Sequence, residues 1–172
     1  MSKCKYKLNK NLLAKRMYNY VAAEQTDRLI AYAKREIVEL VETHEFLNDT
    51  MNLQDSYVWM VYFNGKKAKH GFYANKAAKR KSVLHEFTPE HSVEVDGRAL
   101  ARDFVNKYKP TTTKGWEIVF AACAPYGAYL EGGFTLHGKR YQFNVMSQCY
   151  DDIRNTLSPL CKVTMEINPP RY

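Results

Sequence analysis

The fold of this chain is decided by one segment, Leu12-Leu-Ala-Lys-Arg-Met-Tyr-Asn-Tyr-Val-Ala-Ala-Glu-Gln-Thr-Asp-Arg-Leu-Ile-Ala-Tyr-Ala-Lys-Arg-Glu-Ile-Val-Glu-Leu-Val-Glu-Thr-His-Glu-Phe-Leu-Asn48. Its apolar residues recur mostly at steps of three and four, without proline or glycine, which predicts one amphipathic helix over residues 12–48. At about 1.5 Å per residue the helix would be roughly 55 Å long, more than one small core covers. Either it breaks near residues 24–27, where Thr26 or Asp27 would cap a second helix, or another subunit buries part of its apolar stripe.

The residues after this helix predict a sheet and two further helices. After a polar connector at 48–56, the β-branched and aromatic run Tyr57–Phe63 predicts a strand that ends at the turn signal Asn64-Gly65. Asp96 predicts the N-cap of a helix over 97–108. The second half predicts strands over 116–123 (buried on both faces or nearly so), 126–131, 134–146 and 161–167, and a helix over 147–157. It also predicts turns at Gly132-Gly133 and at Gly138-Lys139. This order predicts a single α+β domain over 1–172, with the long N-terminal helix packed on a mostly antiparallel sheet and two shorter helices.

The positive charge of the chain is confined to two segments. The formal net charge is +8, from 26 basic and 18 acidic residues. Residues 1–23 hold six of the basic groups and residues 65–81 hold seven, and neither stretch contains an acid. The rest of the chain carries 13 basic against 18 acidic residues, a net charge of −5. The protein is therefore a mildly acidic body with a basic N-terminal arm (1–11) and a basic loop (64–95).

The basic loop is the main candidate for a functional surface. It combines cations, which neutralise phosphates or acidic side chains, with Phe72 and Tyr73, which are able to stack on bases. No reading helix or RNA-binding signature accompanies it, so docking on an acidic protein is favoured over base recognition. The residues predicted to contact a partner or DNA are Lys66, Lys67, Lys69, Lys76, Lys79, Arg80 and Lys81.

A catalytic or metal site is not predicted. The sequence contains no Walker loop, no G-x-G-x-x-G and no H-E-x-x-H motif. Its four cysteines lack the C-x-x-C spacing of a zinc site. His85, Glu86 and His91 are a conceivable ligand or catalytic group, but Pro89 prevents a regular helix from presenting them together. We therefore expect no enzymatic activity, no cofactor and no metal.

Two short motifs resemble those of the head–tail joining or tail-completion proteins of tailed bacteriophages. In that family a helix leads to a Thr-Gly-x-Leu-x-x-Ser segment and a strand, and a Tyr-Ala-x-Tyr-Val-Glu-x-Gly segment follows later in a strand hairpin. The first motif matches here at Thr50, Leu53 and Ser56, with Met51 where glycine is usual. The second motif matches at Tyr126, Tyr129, Glu131 and Gly133. These positions suit a scaffold, since Thr50 is able to hydrogen-bond a backbone turn that Leu53 pins to the core.

The resemblance implies a virion structural protein that forms a homo-oligomeric ring at the neck, between head and tail, and that is assembled in the host cytoplasm. Its partners would be identical subunits and neighbouring connector or tail proteins, and DNA in the channel is a further candidate. No membrane partner is expected. The first alternative is a stand-alone nucleic-acid-binding protein that uses the basic loop. The second is a small hydrolase with a site around His85, Glu86 and His91.

Overall fold

The computed structural model describes residues 9–42, 52–74, 96–124, 127, 134–136, 138–141, 144–157 and 164–165. Within them the protein has an α+β fold, as the sequence predicts. A three-stranded antiparallel sheet lies between helices on its two faces, and its strand order is β2-β1-β3. The strands are β1 (Tyr57–Phe63), β2 (Lys66–Phe72) and β3 (Trp116–Ala122), and the helices introduced below pack against them.

The long helix α1 runs without interruption from Lys10 to Glu42, 33 residues or about 50 Å. The predicted break near residues 24–27 is wrong, because Thr26 donates its hydroxyl to the carbonyl of Ala22 within the same helix instead of capping a new one. The helix begins two residues earlier than predicted, inside the proposed basic arm, because Asn9 accepts the Leu12 N–H at its side-chain oxygen. Residues 43–48 lie outside the described residues.

Strand β1 is the centre of the sheet, as its seven-residue run predicts. Alternate residues point to opposite faces, and each face has its own core. Tyr57, Trp59 and Val61 pack with the C-terminal half of α1 and with α4 (Val145–Leu157). The other core joins Val58, Met60 and Tyr62 to the helix α3 (Gly97–Lys107). The sheet is therefore covered by α1 and α4 on one face and by α3 on the other.

The first part of the predicted basic loop is a strand, which corrects its predicted boundary at residue 64. Asn64 and Gly65 both adopt positive φ, at 49° and 74°, and so return the chain as the antiparallel strand β2. Lys66, Lys67 and Lys69 accordingly lie on the sheet and not in a loop. The pairing is irregular between Val61 and Tyr62, where β2 carries one extra residue.

The helix after the basic segment forms where predicted. The Asp96 side chain accepts the backbone N–H of Ala99, which is an N-cap, and α3 runs from Gly97 to Lys107. The polar connector before β1 differs from prediction, because it contains the single-turn helix α2 (Asn52–Asp55).

In the second half the structure changes several predicted boundaries. β3 is half-buried and not buried on both faces, since it pairs only with β1 among the described residues. The segment predicted over 134–146 forms a hairpin of β4 (Phe134–Leu136) and β5 (Lys139–Tyr141), with its turn close to the predicted position 138–139. Its predicted end is wrong, because residues 145–146 belong to α4. Thr164 and Met165, in the predicted last strand, have no regular secondary structure. The predicted strand at 126–131 lies outside the described residues except for Gly127.

Candidate functional site

The N-terminal half of α1 carries most of the large apolar side chains that are exposed among the described residues. Every residue from 9 to 21 is exposed, whereas residues 22–42 supply the packed half of the helix. Leu13, Met17 and Tyr20 form a stripe at helical spacing, and they are 42%, 60% and 72% exposed. We call these three residues the outward stripe. An exposed apolar stripe of this kind is a candidate interaction site.

The outward stripe faces away from the protein's own sheet. Leu13, Met17 and Tyr20 each precede, by 20 residues, a buried residue of the packed half: Ala33, Ile37 and Leu40. An α-helix turns about 100° per residue, so 20 residues correspond to five full turns and about 200° more. The two stripes therefore lie on nearly opposite sides of one continuous helix. The outward stripe is a second apolar face and not an extension of the first.

The two halves of α1 also differ in charge. Residues 10–23 contain Lys10, Lys15 and Arg16 and no acid. Residues 24–42 contain five acids and three bases, a net charge of −2. On the helix surface Lys10 and Arg16 are each three residues from Leu13, on either side of it, so cations border the outward stripe.

An aromatic row fixes the point where α1 leaves the sheet. The ring of Tyr18 lies 6.5 Å from that of Phe63, which lies 4.9 Å from the Trp116 ring, measured between centroids. The indole N–H of Trp116 donates to the Thr26 hydroxyl at 2.9 Å. Tyr18 is off the outward stripe and on the side that continues the packed face. These contacts hold the helix so that its first two turns extend past the sheet.

The lysines of β2 separate into two groups by the face they occupy. Lys66 is paired with Phe63 and Lys69 with Val61, and directly paired residues share a face, so both lysines lie on the α1 side of the sheet. Lys67 lies on the α3 side, and its ammonium donates to the carbonyl of Val105 at 2.6 Å. That carbonyl belongs to the last turn of α3, where a cation is favoured by the helix dipole. Lys67 is therefore engaged in the fold, while Lys66 and Lys69 are exposed cations.

The buried Arg98 connects the residues that come before and after the basic segment 75–95. Arg98, whose side chain is 9% exposed, donates to the carbonyl of Tyr73 and to the Asp55 carboxylate at 3.0 Å. Its guanidinium also lies 4.8 Å from the centroid of the Phe72 ring. Tyr73 precedes residues 75–95 and Arg98 follows them. The described residues on either side of 75–95 are therefore bonded to each other beside the end of β2.

Acidic side chains gather where α1 and α4 meet. Glu39 and Asp152 are exposed, and Glu36 is half-buried and close enough to both for their charges to act on it. Burial raises the pKa of Glu36, with the charges of Glu39 and Asp152 adding to the rise and that of Arg35 opposing it. We call these three carboxylates the acidic face.

An aromatic residue borders the acidic face. Glu36 accepts a hydrogen bond from Tyr32, whose pKa rises to about 12 because of burial and the nearby carboxylate. The guanidinium of Arg35 lies 5.5 Å from the centroid of the Tyr32 ring.

Two of the family-motif residues lie in the described part of the chain. Leu53 is buried in the core on the α1 side of the sheet, and the Ser56 hydroxyl donates to the Leu53 carbonyl at 2.7 Å. Ser56 is completely buried, so this bond completes the tight turn from α2 into β1. The other motif positions, Thr50, Tyr126, Tyr129, Glu131 and Gly133, lie outside the described residues. So do Lys76, Lys79, Arg80, Lys81, His85, Glu86 and His91.

Sequence reasoning recognised the excess of apolar residues on the long helix but missed that they change side between the two halves, and it missed Arg98. The stripe has a signal, since a helical wheel of residues 10–42 shows the change of side between Tyr20 and Ala33. Arg98 has none, because its partners Tyr73 and Asp55 are 25 and 43 residues away.

The described residues contain no group of three or more His, Cys, Asp or Glu side chains arranged to hold a metal ion. In that same part of the chain, none of the helices has the length and apolar composition of a membrane span. Comparisons with protein-family models, with curated proteins and with solved structures found no match.

Proposed function

We propose that this protein is a non-enzymatic virion subunit that forms a homo-oligomeric ring at the head–tail connector of a tailed phage. The observation that carries the proposal is the outward stripe. Leu13, Met17 and Tyr20 lie on an uninterrupted helix, on the side opposite its packed face, and they take no part in the two cores formed by the described residues. A second protein molecule that covers them would remove this apolar surface from water.

The charges along α1 support a ring over a two-fold dimer. In a two-fold contact between outward stripes, Lys10, Lys15 and Arg16 of one copy would face the same three cations of the other, which is unfavourable. A contact between two different surfaces avoids this repulsion. Contacts of that kind between identical subunits repeat around an axis, and they close into a ring when the rotation from one subunit to the next closes.

The phage assignment is supported by the order of the motif residues along the chain. A long helix leads to Leu53 and Ser56, which form a tight turn into an aromatic strand. That sequence of elements is what the resemblance to tail-completion proteins implies. Ring formation rests on the outward stripe, and the place in the virion rests on this resemblance.

A second candidate function is binding of nucleic acid, and one observation favours it. Lys66 and Lys69 are exposed on the same face of the sheet as α1, whose N-terminal half carries three more cations. Leu13 and Met17 argue against it as the main function, because a phosphate backbone offers aliphatic side chains nothing to bury against. In a ring the same lysines would be available to DNA in the channel.

Two experiments test the proposal. Analytical ultracentrifugation with negative-stain electron microscopy of the purified protein should show closed rings with a central channel. A monomer at every concentration up to the millimolar range contradicts ring formation. Immunogold labelling of tailed-phage particles from a host that carries the gene should place the protein at the junction of head and tail. Its absence from purified particles contradicts the virion assignment.

A further inference from the structure

We infer that the cationic N-terminal half of α1 in one copy docks on the acidic face formed by α1 and α4 in the next copy. The inference rests on the proposed ring and names the two surfaces that would build it. Each copy carries both surfaces, one at the N-terminal half of α1 and the other where the C-terminal half of α1 meets α4, so the contact runs head to tail.

The donor surface is the outward stripe with its bordering cations. Leu13, Met17 and Tyr20 supply the apolar centre, and Lys10 and Arg16 flank it. No acid occurs between residues 10 and 23. A partner for this surface must therefore offer carboxylates around a patch that tolerates apolar contact.

The acidic face matches these requirements among the described residues. Three carboxylates, Glu36, Glu39 and Asp152, are contributed by two packed helices. Glu36 accepts the hydrogen bond of the half-buried Tyr32, whose ring also lies beside the Arg35 guanidinium. Burial, and next the charge of Glu39, raise the pKa of Glu36, with Asp152 adding to the rise and Arg35 opposing it. Arg16 and Lys10 of a neighbour would stabilise the charged form of these carboxylates.

The geometry of α1 makes a head-to-tail contact feasible. The donor surface lies in its first three turns and the acidic face near its other end, so one copy cannot bring its own two surfaces together. A straight helix of about 50 Å keeps them apart. A second copy is able to bring its acidic face to the donor surface of the first. Each copy then still has one surface available for a further copy.

Charge reversal tests the inference. The donor variant carries Lys10→Glu and Arg16→Glu, and the acceptor variant carries Glu39→Lys and Asp152→Lys. By sedimentation at low salt, each variant alone should need at least about a tenfold higher protein concentration for half-assembly. A chain with all four substitutions should assemble again at close to the wild-type concentration, because attraction is restored with the signs exchanged.

A matched control separates specific contact from net charge. Arg102→Glu with Lys109→Glu changes the net charge as the donor variant does, but on the α3 side of the sheet, where both residues are exposed. This control should assemble like the wild type, and circular dichroism should show all variants folded.

The outcomes distinguish this inference from the proposed function. If the wild type forms rings and the donor and acceptor variants do so equally well, the docking surfaces are wrong and the ring stands. Failure of the four-substitution chain to recover, although folded, also overturns the docking. If the wild type is monomeric, the proposed function itself fails.

Discussion

Arg98 donates a hydrogen bond to the backbone carbonyl of Tyr73, and this bond joins the beginning and the end of the segment that carries four of the seven predicted contact cations. Because the arginine side chain is buried and also paired with Asp55, its loss would leave a carboxylate and a carbonyl without their donor. We expect Arg98→Ala to lower the free energy of unfolding by about 3 kcal/mol. Urea denaturation followed by tryptophan fluorescence measures this.

The control for Arg98 is Arg102, which lies on the same helix and is exposed. Arg102→Ala should change the free energy of unfolding by less than about 0.5 kcal/mol. Equal effects at the two positions would show that the bonds of Arg98 to Tyr73 and Asp55 add nothing to stability.

Lys67 and Lys69 should respond differently to the same substitution, although they are two residues apart on one strand. Lys67 donates to the last turn of α3, so Lys67→Ala should cost about 0.5–1 kcal/mol of unfolding free energy. Lys69→Ala should leave stability unchanged. If Lys66 and Lys69 contact DNA, Lys69→Ala should also change how the DNA-binding constant K depends on salt, which fluorescence anisotropy measures. The slope of log K against log salt concentration should fall by about 1 for Lys69→Ala and stay unchanged for Lys67→Ala.

Gly71 is required because it lies directly under Trp59. A Cβ atom at residue 71 would lie 2.7 Å from two carbons of the Trp59 indole, and that ring is 4% exposed and packed in the core. We expect Gly71→Ala to destabilise the fold by about 1–3 kcal/mol. Gly127→Ala is the comparison, since its Cβ would make only ordinary contacts at 3.8 Å, and it should be nearly neutral by thermal denaturation.

The sequence predicts those parts of the fold that local chemistry determines. Tyr57–Phe63 is β-branched and aromatic throughout, and Asp96 is placed to cap α3, so β1 and α3 are where they were expected. β2 was missed because Lys66–Phe72 has no β-branched residue and looks like a solvated loop. It is a strand because the Asn64-Gly65 turn returns it to the edge of β1, whose backbone groups need partners.

The candidate site was predicted in part. The excess of apolar stripe on the long helix was recognised, and a neighbouring subunit was one of its two explanations. The direction in which the N-terminal part of the stripe points was not predicted. Steps of three and four residues show that a helix is amphipathic, but they do not show that the apolar side changes between Tyr20 and Ala33. The acidic face was missed because Glu36 and Asp152 are far apart in sequence and meet only when α4 packs on α1.

Glu36 should make stability depend on pH. Burial and neighbouring carboxylates raise its pKa in the folded protein, so folding favours its protonated form. Its stabilising contribution is complete below the ordinary glutamate pKa and is lost as pH rises through the raised value. Glu36→Gln should therefore increase the unfolding free energy at pH 7, by less than about 1 kcal/mol because the group is partly solvated. Denaturation at acidic pH should show no difference between the two proteins.

The outward stripe should matter for assembly and not for folding. Leu13→Ser, Met17→Ser and Tyr20→Ser together should abolish ring formation in native mass spectrometry, while thermal unfolding of the diluted subunit stays within about 0.5 kcal/mol per site. Leu12→Ser is the matched control, since Leu12 is 47% exposed but lies about 100° around the helix from Leu13. A triple variant that still forms rings would assign the interface to another surface.

The uninterrupted course of α1 through residues 22–29 has a thermodynamic consequence for association. The first two turns are already helical and are extended from a helix whose other half is fixed in the core, so a binding partner orders little new backbone. The entropy lost on association is then mainly that of the rigid bodies and a few side chains. Since the two apolar faces of α1 point in opposite directions, a neighbour also binds without opening the subunit's own core. Folding therefore buries one apolar face of the helix and assembly buries the other.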